Sequence, residues 1–335
     1  MSDSKEMRIA NISIQIEATQ EIKFPSAADC NSPCWWRKGE MRVLTSTGHP
    51  VLSAGKDLYH LNRIGEITYT AWRDGGRWIE SVFPDEDGAL YGWYHNEPAH
   101  LIGEEYQQGR QFRLTAPMIG AAVSHDNGET WDDLGIILNG GPETLNLEQH
   151  NYWFAGGNGD FSVILDRERR YFYFLFGSYY RDVAQQGISM ARMRFEDRAC
   201  PVGRVQKWHN GGWNEPGLLG KVTPIIPVQS DWYSPQPDTF WGPSVHWNRA
   251  LQQYVILMNR AVDPRWAQDG IYISFSPDLG RPDSWTPPVK ILDEKGWYPQ
   301  VIGLEDGDTD REAGEAARLF IHGISRYLLR FSSRG

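Results

Sequence analysis

Asp160-Phe161-Ser162-Val163, followed after the polar turn 166–170 by the aromatic run 171–178, is the stretch that decides how this chain is read. A short apolar strand opens on a small or polar group, turns tightly and returns as a longer aromatic strand. The same pattern stands at Ser32-Pro33-Cys34-Trp35-Trp36 with 41–46 and at Glu80-Ser81-Val82-Phe83 with 89–94. It returns at Gly242-Pro243-Ser244-Val245 with 254–259 and at Tyr298-Pro299-Gln300-Val301 with 318–324. Copies spaced by roughly 48 to 82 residues suit propeller blades whose loops vary in length. The expected fold is all-β: a five-bladed β-propeller forming one domain over 1–335, with blades starting near 29, 79, 159, 241 and 297.

Outward from these units, strand signals dominate. Runs of β-branched and aromatic residues are bounded by Gly, Pro, Asn and Asp, and no helical periodicity is sustained. Segments 120–131 and 271–285 read as outer-blade hairpins. The first, Ser124-His125-Asp126-Asn127-Gly128-Glu129-Thr130-Trp131, matches the Asp-box S-x-D-x-G-x-T-W. Its Asp is expected to cap a turn and its Trp to plug into the blade, a structural duty and not a chemical one. The alternating run 7–16 reads as an outer strand pairing near 327–331, so that segment 1–18 closes the ring and covers two exposed sheet edges.

Composition narrows the partner classes. Forty-three acids against 33 bases give a formal charge of −10, a field that repels nucleic-acid phosphates. Fifteen tryptophans and 13% aromatics fill space between sheets, and such rings also stack on the apolar faces of sugars. Three cysteines, Cys30, Cys34 and Cys200, form neither a disulfide framework nor a zinc spacing. No apolar stretch is long enough for a membrane span, and no cofactor or metal is implied. Because Met1-Ser2-Asp3-Ser4-Lys5-Glu6-Met7 lacks an apolar export region, the chain as written is expected in the cytoplasm; a trimmed export signal would place it outside the cell. The acidic run 305–312 lacks EF-hand spacing and is expected to be a solvated far-face loop. Oligomeric state is not legible.

If the first strand of each unit descends and the second returns, strand starts and returning ends share one face. That mouth of the channel then collects Asp29 and Asn31 with His49 from unit one, and Glu80, His95 and Glu97 from unit two. Unit three adds Asp160, Tyr179 and Arg181, unit four Trp241, Asn259 and Arg260, and unit five Tyr298 and Gln300. Four acids on three consecutive units are the material of acid/base chemistry. Crowding and desolvation push their pKa values apart, leaving one protonated and another ionised. The Gly156-Gly157-Asn158-Gly159 loop before Asp160 suits close approach of a ligand.

The architecture resembles the five-bladed β-propeller glycoside hydrolases of family 43, the arabinanases and xylosidases with their invertase-like relatives. Ser276-Pro277-Asp278-Leu279 followed by Trp285 is also similar to hairpins common there. In that group a base or nucleophile, a helper acid and a proton donor come from the first three blades. The resemblance implies Asp29 as base or nucleophile and Asp160 as acid or orienting partner, with Glu80 and Glu97 competing for the remaining role. Asn31, His49, His95, Tyr179, Arg181, Trp241, Asn259, Arg260, Tyr298 and Gln300 are the implied substrate contacts. The family's Asp-Pro reads Ser32-Pro33 here, and the order of Asp and Glu on blades two and three is exchanged. The implied activity is hydrolysis of a plant or microbial poly- or oligosaccharide. Two other classes stay open: a carbohydrate-binding propeller without turnover, and a sialidase-like hydrolase of an anionic sugar, which needs an arginine triad.

Overall fold

The inner and returning strands are buried along almost their whole length, and the chain packs them as five mainly antiparallel sheets around a channel, a five-bladed β-propeller. The computed structural model describes residues 4–148 and 150–333. The innermost strands are Cys34–Arg37, Gly76–Pro84, Asn158–Leu165, Thr239–Asn248 and Gln300–Gly303, one in each of blades 1 to 5. The returning strands are Glu40–Ser46, Leu90–Glu97, Tyr171–Ser178, Gln253–Ala261 and Ala316–Ile321. Among the described residues, no helix is long and apolar enough to cross a membrane.

Each blade interface carries its own apolar core. Trp35 and Leu44 meet Ile79 and Tyr94 between blades 1 and 2, and Trp93 meets Phe161, Phe172 and Phe174 between blades 2 and 3. Leu175 and Met190 meet Val245 and Ile256 between 3 and 4; Val255 and Phe275 meet Val301 and Leu319 between 4 and 5; Val43 meets Ile302 and Phe320 between 1 and 5. Equivalent positions on the inner strands then clasp their neighbours. Ser81 Oγ accepts from Val163 N at 2.9 Å, Ser162 Oγ accepts from Val245 N at 3.1 Å, and Ser244 Oγ donates to Pro299 O at 2.6 Å. Gln300 finishes the series by pairing with both backbone groups of Ser32, at 2.5 and 2.8 Å. The repeated x-Ser-Val pattern is thus a packing device as well as a blade signature.

Ring closure comes from the N-terminus. Strand Ile12–Lys23 pairs antiparallel with Ile324–Ser333, placing Ile14 opposite Phe331 and Ala18 opposite Tyr327. The expected single outer strand is instead a hairpin: Ser4–Ile9 folds back on Ile12–Lys23 through a turn in which Ala10 takes φ 52°. Residues 1–3 of the proposed closing segment, and 334–335 of the proposed domain, lie outside the described residues.

Segment 124–131 makes a capped turn. Asp126 Oδ1 accepts from Glu129 N and Thr130 N, Gly128 takes φ 92°, and Trp131 is buried. The acidic run 305–312 departs from expectation. Asp308 is wholly buried; its carboxylate accepts from Glu305 N and Gly314 N and pairs with Arg249 at 2.6 Å. Asp310 Oδ1 accepts from Cys34 N at 2.8 Å, and Trp36 Nε1 donates to Asp308 O. Part of this run is thus an internal clasp: Asp308 ties its own turn in blade 5, and Asp310 and Asp308 O hold Cys34 and Trp36 of blade 1.

Candidate active site

Local irregularities in the inner strands build the site. Gly76–Pro84 is bulged between Ile79 and Ser81, and Asn158–Leu165 between Gly159 and Phe161. The inserted residues are Glu80 and Asp160. A bulge sets two residues against one and re-aims the extra side chain, here into the channel mouth. Asp160 has φ 47° and Tyr298, at the start of blade 5, has φ 57°. Non-glycine residues held there cost on the order of 1–3 kcal/mol each, and such strain concentrates at functional sites. On the returning strand of blade 2, His95 and Glu97 share a face by the two-residue period.

These groups converge. His95 Nδ1 lies 3.2 Å from Glu80 Oε1, and His95 Nε2 lies 3.1 Å from Glu97 Oε1. Glu80 Oε2 accepts from Phe161 N at 3.2 Å, Tyr179 Oη donates to Asp160 Oδ2 at 2.6 Å, and Thr115 Oγ1 donates to Glu97 Oε2 at 3.2 Å. Glu80, His95 and Asp160 are buried, whereas the Glu97 side chain keeps 23% of its exposure and Asp29 is half-buried. Asp29 is fixed from the other side, its N–H donating to Ser46 O at 2.7 Å.

The electrostatics follow from that crowding. Burial, with Asp160 and Glu97 nearby, pushes the Asp29 carboxyl up to about 6, although His95 pulls it down. Burial likewise raises Glu80 and Asp160 above the usual carboxylate range, with His95 again opposing. Burial works against an imidazolium, yet Glu80 and Glu97 hold the His95 pKa well above its ordinary value. The result is one cation among four acids, at least one of which retains its proton near neutrality. Glu80, His95 and Asp160 each offer a ligand atom within 4.8 Å of the others, so they are the described residues able to hold a cation. His95 is already shared between two carboxylates, and a cation there would compete with its proton.

The remaining sequence-derived contacts divide. Tyr179 and Tyr298 border Asp160, and burial drives both phenol pKa values far up, so both remain donors. Asn31 braces the channel, its amide donating to Phe161 O at 2.9 Å and Pro243 O at 3.0 Å. Asn259 holds Gly296 O and Tyr298 N, and so orients Tyr298 from behind. Gln300 is committed to Ser32.

Five readings change. Trp241 is wholly buried among Trp266, Trp297 and Tyr298, so it packs the wall and offers no open stacking face. His49 is exposed and faces Glu66 at 3.9 Å on the outer strand. Arg260 is locked in a bidentate pair with Asp238 at 2.6 Å, and Arg181 is exposed with its N–H on Thr144 O. The glycine loop makes room for protein, not ligand: a Cβ on Gly157 would sit 2.4 Å from Pro117 O, and one on Gly159 would meet Pro117 and His95. Thr115 went unnoticed because it lies in a long insertion, 98–117, between two strands of blade 2 where no periodic signal reaches.

No protein-family model matches this sequence, and no curated protein sequence does. Solved structures of similar fold include an exo-β-1,3-galactanase from Phanerochaete chrysosporium, 12% identical with a TM-score of 0.53 over 93% of this chain. This chain spans only 64% of that enzyme's length. An endo-arabinase from Bacteroides thetaiotaomicron is 10% identical, with a TM-score of 0.53 over 94% of this chain and 96% of that one. An exo-1,5-α-L-arabinanase from a bovine ruminal metagenomic library is 12% identical, with a TM-score of 0.50 over 91% of this chain and 95% of its own. At such identities the likeness establishes a common fold.

Proposed function

We propose that the protein is a glycoside hydrolase acting on a neutral poly- or oligosaccharide of plant or microbial origin. The single observation that carries this reading is the convergence of Asp29, Glu80, His95, Glu97 and Asp160 on one channel mouth, where burial first and neighbouring acids second raise the Asp29, Glu80 and Asp160 carboxyls. Glycosidic cleavage needs a carboxylic acid that protonates the leaving oxygen and an ionised carboxylate that activates water or attacks the anomeric carbon. The solved propellers of similar fold, described as acting on galactan and arabinan, supply the analogy.

The geometry shifts the roles from those the resemblance implied. Only Asp29 and Glu97 of the four acids keep partly open faces, and a group that meets substrate must be reachable. Asp29, raised to about 6, is suited to be the proton donor, and Glu97, held by His95 and Thr115, the opposing carboxylate. Asp160 and Glu80 lie beneath them as positioning residues that set the field. Of the two arginines offered for a sialidase-like triad, Arg260 is paired with Asp238 and Arg181 is turned to solvent.

Reducing-sugar release from arabinan, β-1,3-galactan and aryl furanosides and pyranosides tests the proposal, with Asp29→Asn and Glu97→Gln as controls. Turnover by the wild type, lost in both variants, is expected. Full rate in both variants refutes the roles, and saccharide binding without turnover across the panel refutes hydrolysis in favour of a binding propeller.

A further inference from the structure

The inner strands deliver a second cavity at their other ends. It has a volume of about 500 Å³, within the range of small-molecule sites, and every blade contributes to its wall. Ile164 on this wall stands four positions along the strand from Asp160, roughly 13 Å at the usual rise, so the cavity is distinct from the acidic mouth.

Its chemistry is the reverse of that mouth. Arg167, Arg169 and Arg311 line it in a protein of net charge −10. Asp166 is engaged in its own turn, accepting from Arg170 N at 2.6 Å and Tyr171 N at 3.2 Å. Glu312 lies 3.5 Å from Arg167 but is shared with Arg249 at 3.4 Å. Arg169 reaches Glu86 at the exposed rim. Arg311 is different. Its side chain is only 17% exposed, its nearest acid is Asp310 at 3.9 Å, and its Nε has no hydrogen-bond partner. Asp310 already accepts from Cys34 N, and burial keeps its carboxyl above the usual range, which weakens it as a counter-ion. Beside these groups stand Trp36, Phe83 and Trp247; the indole N–H of Trp247 also lacks a partner, and the Arg167 guanidinium lies 5.2 Å from its ring.

We propose that this far-face cavity is a second carbohydrate site, which takes a small carboxylated sugar with its acid group on Arg311 and its ring against the Trp36 and Trp247 wall. A planar guanidinium suits a carboxylate through paired hydrogen bonds, and indoles receive the apolar face of a sugar. The site stands independently of the hydrolysis proposed for the mouth.

Isothermal titration with D-galacturonate, D-galactose and inorganic phosphate tests it. Galacturonate is expected to bind at least tenfold more tightly than galactose or phosphate, and Arg311→Gln to weaken it at least tenfold with turnover at the mouth unchanged. Arg167→Gln, on a half-exposed side chain, is expected to weaken it as well and serves should Arg311→Gln fail to fold. Asp29→Asn, which disables the mouth, should retain full galacturonate affinity. Equal binding of galacturonate and galactose, phosphate binding as tight as galacturonate, undiminished binding in the arginine variants, or loss of binding in Asp29→Asn would each overturn the proposal.

Discussion

Replacing His95 by glutamine removes the cation at the centre of the acidic mouth. Its ring nitrogens lie 3.2 Å from Glu80 and 3.1 Å from Glu97. Unit charges at that separation attract by about 5 kcal/mol at an effective dielectric near 20. Desolvation removes part of this gain, and breaking a buried pair by deleting one partner costs about 3–5 kcal/mol. Against a total stability of roughly 5–15 kcal/mol, the melting temperature should fall on the order of 10 °C at pH 7. The sign of the pH dependence follows from the acids. Asp29 and Glu80 both have folded-state pKa values above their unfolded ones, so their contribution is full below about pH 4 and is lost as pH rises, through about 6 for Asp29. His95, also raised, loses its contribution only as pH climbs through its own elevated value. The penalty of His95→Gln should therefore be fully present below about pH 6.5 and fade only as pH rises through the elevated His95 value. Adding Glu80→Gln should recover part of it, because the neutral amide needs no cation. Activity carries the same signature. His95 lowers the Asp29 pKa, so its loss should move the alkaline limb of kcat/KM upward. Differential scanning calorimetry from pH 4 to 8 and a pH–rate profile on the best panel substrate read both effects. Coincident melts at pH 7, or an unmoved alkaline limb, would refute the electrostatic argument.

Asp29→Asn should abolish the limb near pH 6 and lower kcat/KM by about 10²–10⁴, the usual share of a general acid; a pH profile like the wild type's would reject Asp29 as donor. Tyr179→Phe deletes the 2.6 Å bond to Asp160, worth about 1.5–3 kcal/mol for a charged acceptor. A 10- to 100-fold loss in kcat/KM is expected, with the acid limb moved upward because the phenol favours ionised Asp160; unchanged kinetics count against a role for this pair. Deleting residues 1–18 removes Ile12, Ile14 and Ile16, all buried, at about 1.5–3 kcal/mol each, and exposes the edge of Ile324–Ser333. No cooperative unfolding transition should remain, and a soluble truncation that melts cooperatively would contradict ring closure by this strand.

Why the blades could be read from sequence and the site only in part comes down to which residues repeat. Ser81, Ser162 and Ser244 recur because each inner strand must clasp its neighbour, and aromatic returning strands recur because five interfaces must be filled. Repetition of that kind survives in a single sequence. Glu80 and Asp160 were legible as acids at the head of a repeat, but not as bulge residues, because the inserted residue is set by backbone pairing with the returning strand. His95 and Glu97 followed from the two-residue period once the returning strand was placed. Arg260, His49 and Trp241 lie next to strand ends in sequence yet turn toward Asp238, Glu66 and the aromatic wall, since one step along a strand reverses the face. The acidic run 305–312 misled for a related reason. Charge count says solvent, but Asp308 accepts from Glu305 N and Gly314 N within its own turn and Asp310 from Cys34 N of blade 1, a bond visible only when blades 5 and 1 meet. The same meeting leaves Arg311 at the far end of the channel with Asp310 as its counter-ion at 3.9 Å and its Nε without a hydrogen-bond partner. The channel thus ends in two sites of opposite charge, the mouth set by bulged acids and the far face by turn arginines, and variants at one should leave the other's pH response unmoved.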